Sequence, residues 1–215
     1  MLAAPEAEVL LFSRRFFFGM SFAGLSSGTF ARAVFERMPA AGAESAGVAP
    51  SLIERALLAL ERHRASITHR DLIGVADFSL HSRTPRFHLV NLIDRGVKSY
   101  LVAHGRGSDP AHTGWLERFS NEPRSNATSA GAYRTGTSYV GAHGYSMRLD
   151  GLDPTNSNAA SRAIVVHGAW YVSEAMIGHS GVLGRSQGCF AVANSSVGEI
   201  VSTLGSGRLI YADRA

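Results

Sequence analysis

The sequence predicts a mainly β (α+β) domain with a few short helices, on three observations. Between residues 72 and 103 the apolar residues fall in short alternating or β-branched runs, separated by Pro85 and Gly96, which is strand punctuation. Two segments carry a capping box followed by an apolar helical face, Ser51-Leu-Ile-Glu54 and Ser196-x-x-Glu199. With 215 residues, 45% of them apolar, the chain is long enough to bury one sizeable core and too apolar to be disordered.

Taken in order, residues 1–43 read as an address. Ser13-Arg14-Arg15-Phe16-Phe17-Phe18 sets paired arginines before an apolar stretch that runs to about Phe35, and Ala41-Gly42-Ala43 supplies a small-residue exit. The arrangement S-R-R-x-F-F resembles the twin-arginine export signal, which a receptor reads. Cleavage is expected after Ala43, with Ala33 as an earlier alternative. A membrane anchor or buried helix competes with this reading, but Gly19, Gly24, Ser26, Ser27 and Gly28 weaken both. No apolar run approaches the roughly 18 residues of a bilayer span, so no stable span is expected after processing.

Residues 44–70 are read as an N-terminal helix, about 51–64 with Leu52, Ile53, Ala56, Leu57 and Leu60 on one face, and a linker. The domain proper is placed at 71–215. Its strands are expected at 72–80, 86–93 and 97–103, then 132–140 and 145–149, with a long irregular segment at 104–131 between them. Ala163-Ile-Val-Val166 reads as a fully buried strand that delivers the chain at His167-Gly168. A short helix at 171–177, a second helix opened by Ser196 and stopped by Gly205, and a strand at 208–212 complete the chain.

The charge is a mild excess, +4, and nearly all arginine, Lys98 being the one lysine. These cations are scattered, so an anionic partner is allowed but a nucleic-acid surface is not indicated. The single cysteine excludes an internal disulfide framework and a zinc site built on several thiolates.

That cysteine lies in Gly184-Arg185-Ser186-Gln187-Gly188-Cys189. A thiol attacks as thiolate and needs a base or positive charge beside it, with donors where an oxyanion forms. Gly188 has no side chain to obstruct a substrate carbonyl, so the Gly188 and Cys189 N–H groups are candidate oxyanion donors. Arg185 and Ser186 add a cation and a hydroxyl. His167 is the natural base, leaving a buried strand 22 residues before the cysteine. A buried structural cysteine is the competing reading.

His167-Gly168 followed by Ser186-x-Gly188-Cys189 resembles the signature of the murein L,D-transpeptidases, the YkuD-type catalytic domains. Further blocks are similar in order: Asp77-Phe78-Ser79, Val102-Ala103-His104-Gly105, Phe119-Ser120-Asn121, His143 to Leu152 and Arg162 to Ala169. The resemblance covers about 72–212. It departs at Gln187, where many members have His, and at Phe190, where this branch often has Pro.

The resemblance implies an L,D-transpeptidase-like β-sandwich with a few short helices packed on it, in the periplasm and without a metal or other cofactor. It implies that Cys189 attacks a carbonyl of a peptidoglycan stem peptide and expels a terminal D-residue. His167 would take the thiol proton, oriented by the Gly168 carbonyl, and an amine of a second stem or water would resolve the thioester. Arg185, Ser186, Gln187, Arg148 and His143 are the candidate substrate-binding residues, guanidinium groups being suited to stem carboxylates. An ion pair of Arg148 with Asp150 or Asp153 competes with that role. His104 is expected in a turn and Trp170 in the core. Two rivals stay open: a zinc D,D-peptidase using His143, Asp150 and His167, weakened by Val165 in the place of a ligand, and a non-catalytic wall-binding module.

Overall fold

Pro50 sits where a helix needs no N–H, which sets the start of the first element. The computed structural model describes residues 47–215, and the leader expected at 1–43 lies outside the described residues. Helix α1 (Pro50–Arg62) therefore begins one residue before the predicted box. Its cap is Ala49, with no side-chain hydrogen bond. The apolar face buries as predicted: Leu52, Ile53, Ala56, Leu57 and Leu60 pack with Ile73, Val75, Val90, Ala132 and Leu209 of the sheet.

Nine strands follow: β1 (Leu72–Asp77), β2 (Phe87–Asn91), β3 (Val97–Tyr100), β4 (Val102–Ala103), β5 (Gly131–Gly141), β6 (Gly144–Gly151), β7 (Val165–Ala169), β8 (Phe190–Ala193) and β9 (Leu209–Asp213). They form one sheet in the order β3-β2-β1-β9-β5-β6-β7-β8-β4. Its two edge strands are separated in the chain by Leu101 alone, so the sheet must curl until its edges meet. Arg86 braces that seam: its N–H donates to Tyr100 O at 3.0 Å and its Nε to Val102 O at 3.1 Å. Inside the curl Phe87, Tyr133, Met147, Val166 and Phe190 form the core. The fold is thus mainly β, as predicted.

Helix α2 (Glu174–Ser180) begins three residues later than predicted, because Ser173 is the cap and its side chain accepts from the Met176 N–H. Helix α3 (Asn194–Leu204) begins two residues before the Ser196 box and lacks a side-chain cap. Its Ile200, Val201 and Leu204 complete the core. Residues 104–130 contain no strand of the sheet, as predicted. Strand β7 starts at Val165 rather than Ala163, which places His167 in mid-strand rather than beyond its end. Among the described residues no helix is long and apolar enough to cross a membrane.

Candidate active site

Strands β7 and β8 are parallel neighbours, with His167 paired to Ala191. Cys189 lies two residues before Ala191, so strand spacing and rise put its Cα on the order of 8 Å from that of His167. The sheet therefore brings the predicted thiol and base to neighbouring positions. The Cys189 Sγ donates to Ala163 O at 3.5 Å. Ala163 holds a left-handed φ of 53°, which a non-glycine residue adopts at a cost of about 1 kcal/mol or more. Burial pushes the thiol pKa above its ordinary 9.0, partly offset by the Val165 N–H and by the Arg162 charge.

His167 is buried, and its Nδ1 lies 2.8 Å from Gly168 O. A carbonyl can only accept, so Nδ1 carries the proton and Nε2 keeps its lone pair. Burial holds the imidazole pKa below 6.5; the Gly168 contact opposes this and His143 adds to it. His143 stacks on His167, centroids 4.5 Å apart at 27°. A Cβ at residue 168 would lie 2.6 Å from Asn194 Oδ1 and 3.2 Å from Val197 Cγ1, so any larger residue beside the base must displace the Asn194 side chain.

The loop before the cysteine is closed by Ser186. Its buried hydroxyl donates to Cys189 O at 2.7 Å and accepts the Gly188 N–H at 3.1 Å. Ser186, a candidate substrate-binding residue also expected to shape the cysteine loop, does the latter, its hydroxyl being spent inside the loop. One expectation changes: the Gly188 N–H is engaged rather than open to an oxyanion. Gly188 is needed for another reason: at φ 117°, a Cβ there would meet Ala127 O at 2.7 Å. Arg185 Nη1 donates to Asp109 O and, at 3.0 Å, to Pro110 O, so that arm is tied to the protein's own loop. Gln187 is exposed.

Arg148 makes no ion pair with Asp150 or Asp153. It lies over the Tyr139 ring at 4.6 Å, while Asp150 binds Arg134 at 2.7 Å and Asp153 binds His63 at 2.8 Å. Arg148 therefore keeps its charge available beside β7, where it pairs with Val165. The zinc rival loses its third group, because Asp150 is held by Arg134. Among the described residues no cluster of three or more His, Cys, Asp or Glu could hold a metal ion. Trp170, expected in the core, is 73% exposed.

Sequence reasoning missed two supports. Arg162 Nη1 donates to Ser120 O at 2.8 Å and Ser129 Oγ at 2.7 Å. Its Nη2 reaches Ala127 O and, at 3.3 Å, Ser125 Oγ. This arginine fastens the irregular segment to the turn before β7 and is the cation that acts on Cys189. The second support is buried under the loop. Arg86 Nη2 lies 2.8 Å from His104 Nδ1, and His104 Nε2 lies 3.3 Å from Asp109 Oδ2. Arg86 can only donate, so the neutral His104 carries its proton on Nε2. The His104 carbonyl accepts the Ser186 N–H at 2.9 Å, which ties the network to the cysteine loop and replaces the expected turn role. The sequence signal was that His104 and Arg162 fall in blocks similar to the family, whereas Arg86 and Asp109 carried none.

Burial, then Arg86, pushes the His104 pKa down to about 4, and burial pushes His88 down to about 4. Between about pH 6.5 and 4 the unfolded chain holds protons that the folded chain refuses. Stability is therefore complete above pH 6.5 and falls as pH drops toward 4, by up to about 3 kcal/mol per histidine. Urea unfolding at pH 7 and pH 5 checks this; equal midpoints would contradict it.

The family model for the L,D-transpeptidase catalytic domain matches residues 44–212. No curated protein matches the chain. Solved structures similar to it include an L,D-transpeptidase from Mycobacterium smegmatis, at 15% identity and TM-score 0.41, covering 66% of this chain and 58% of that one. L,D-transpeptidase 3 from Mycobacterium tuberculosis, in complex with a faropenem-derived adduct, is 14% identical at TM-score 0.41, covering 67% and 60%. An L,D-transpeptidase from Stackebrandtia nassauensis is 13% identical at TM-score 0.40, covering 80% and 74%. The chain thus spans 58% of the length of the M. smegmatis protein. The family match extends from before α1 to the last strand and takes in both His167 and Cys189, and on that match the chain belongs to the L,D-transpeptidase catalytic domain family.

Proposed function

We propose that this chain is a periplasmic cysteine transpeptidase that acts on peptidoglycan stem peptides and is exported by the twin-arginine receptor. One observation carries the reading: the Gly168 carbonyl fixes His167 with an Nε2 lone pair, on the strand beside the one that Cys189 precedes. The Cys189 thiol rotates from the Ala163 carbonyl toward the imidazole and gives its proton to Nε2. The sulfur attacks the stem carbonyl, and the Cys189 N–H receives the oxyanion. Collapse of the tetrahedral adduct breaks the amide bond, and His167 returns the proton to the departing amine of the terminal D-residue. An amine of a second stem then attacks the thioester, losing its proton to His167 and regenerating the thiol. Cross-linked stems are the product, and Arg148 is a cation available to their carboxylates.

Mass spectrometry of the purified protein with tetrapeptide muropeptides tests this. The expected result is an adduct on Cys189 short of the terminal residue, followed by a dimer. Conversion to tripeptide alone would make water the acceptor and the protein an L,D-carboxypeptidase. With no adduct, and thiol labelling that His167→Ala leaves unchanged, the wall-binding module is the better account.

A further inference from the structure

A groove of about 520 Å³ adjoins the cysteine loop, bordered by Pro123, Arg124, Asn126, Ser161, Arg162 and Gln187. Its polar groups are unequal in what they have left to offer. Arg162 already gives four hydrogen bonds to residues 120–129. Ser161 donates to Asn158 O, and Asn126 Nδ2 donates to Arg124 O. Arg124 and Gln187 are exposed, and neither side chain makes a hydrogen bond or ion pair among the described residues. No carboxylate borders the groove. Glu122, beside it in the chain, is the nearest acid in sequence.

The backbone here is unusual as well. Arg124 and Asn126 both hold left-handed φ angles, 63° and 52°. Such conformations persist where surrounding structure enforces them, and they gather at ligand sites. Arg124 and Gln187 line the same groove.

We propose that this groove binds the free carboxylate of the terminal residue that leaves the stem, with Arg124 as its cation and Gln187 as a second donor. The inference rests on the transpeptidase reading and adds to it the residue that recognises the departing end. Chain geometry supports the assignment. The attacked carbonyl and the terminal carboxylate are one residue apart, about 3.5 Å in extended chain, and Gln187 is two residues before the nucleophile. A planar guanidinium paired with a carboxylate is bidentate and orients the amide bond as well as holding it. Arg162 places a second positive charge on the same wall.

The test compares a tetrapeptide stem ending in a free carboxylate with the same peptide ending in an amide, using the full-length protein. Arg124→Asn removes the charge while keeping a residue that tolerates the left-handed backbone. Wild type is expected to acylate Cys189 with a kcat/KM about 30-fold higher for the carboxylate, the size of one charged hydrogen-bonded contact. Arg124→Asn should lose about that factor on the carboxylate, mainly through KM, and treat both peptides alike. Arg124→Lys should fall between. Because Arg124 is exposed, the thermal midpoint of the variant should match wild type, which separates loss of recognition from loss of fold. Indifference of wild type to the amide, or undiminished preference in Arg124→Asn, overturns the subsite and leaves the transpeptidase reading standing. Failure of both peptides to acylate a thiol that still reacts with iodoacetamide overturns both.

Discussion

Cys189→Ser is expected to lower stem-peptide transfer by on the order of 10⁴-fold or more and to eliminate any covalent adduct. The substitution keeps size and a hydrogen that can still go to Ala163 O, so the fold has no reason to change. What it removes is acidity. Even the thiol is held above its ordinary pKa by burial, and the nearby Arg162 offsets that only in part while its nitrogens serve residues 120–129. A hydroxyl in the same place is several powers of ten harder to ionise, and the weakly basic His167 cannot make up the difference. Intact-protein mass and product formation give the two readouts, with the urea midpoint as the control for fold. Turnover above about 1% of wild type would remove Cys189 as nucleophile.

The parts of this molecule written in local pattern were legible. The apolar face of α1 and the all-apolar run into β7 each follow from one periodicity and one burial requirement, while β1 and β2, set off by Pro85 and Gly96, read as short strands and bury nearly every residue rather than alternating. Cys189 and His167 were visible because their chemistry restricts the residue types that can serve. Helix starts differ from expectation by one to three residues: Pro50 opens α1 one residue early, Ser173 caps α2 three residues late, and α3 begins two residues before Ser196 with no side-chain cap. The supports of the site were hidden for a different reason. Arg86, His104 and Asp109 come together only when the sheet curls and its edges meet near Leu101, and no spacing along the chain encodes that closure. Arg162 reads as one of twenty scattered arginines until the irregular segment folds onto it. For the same reason Gly188 carried a right residue with an incomplete argument. Its missing Cβ makes room for Ala127 O in the protein, and its N–H serves Ser186.

His167→Ala is expected to slow acylation by about 10³-fold at pH 7 and to change the shape of the pH profile. The two reacting groups are displaced in opposite directions, His167 below 6.5 and Cys189 above 9.0. Between those limits the resting pair is neutral thiol and neutral imidazole, so attack requires proton transfer to Nε2 rather than a preformed ion pair. The wild-type rate should rise with pH below 6.5 as His167 loses its proton, stay level through neutrality, and rise again above 9.0 as the thiol ionises unaided. Removing the imidazole should erase the lower rise and keep the upper one. Replacing His143 by alanine uncovers one face of the His167 ring and removes a neighbour that disfavours its protonation. Both effects raise the His167 pKa, so the lower rise should move toward higher pH. Alkylation of Cys189 by iodoacetamide across pH 5–10, in wild type and both variants, measures each limb without a substrate. A thiol that reacts as fast at pH 6 as at pH 9 would mean that a thiolate–imidazolium pair exists at rest, and proton transfer from a neutral pair would then be the wrong description of this site.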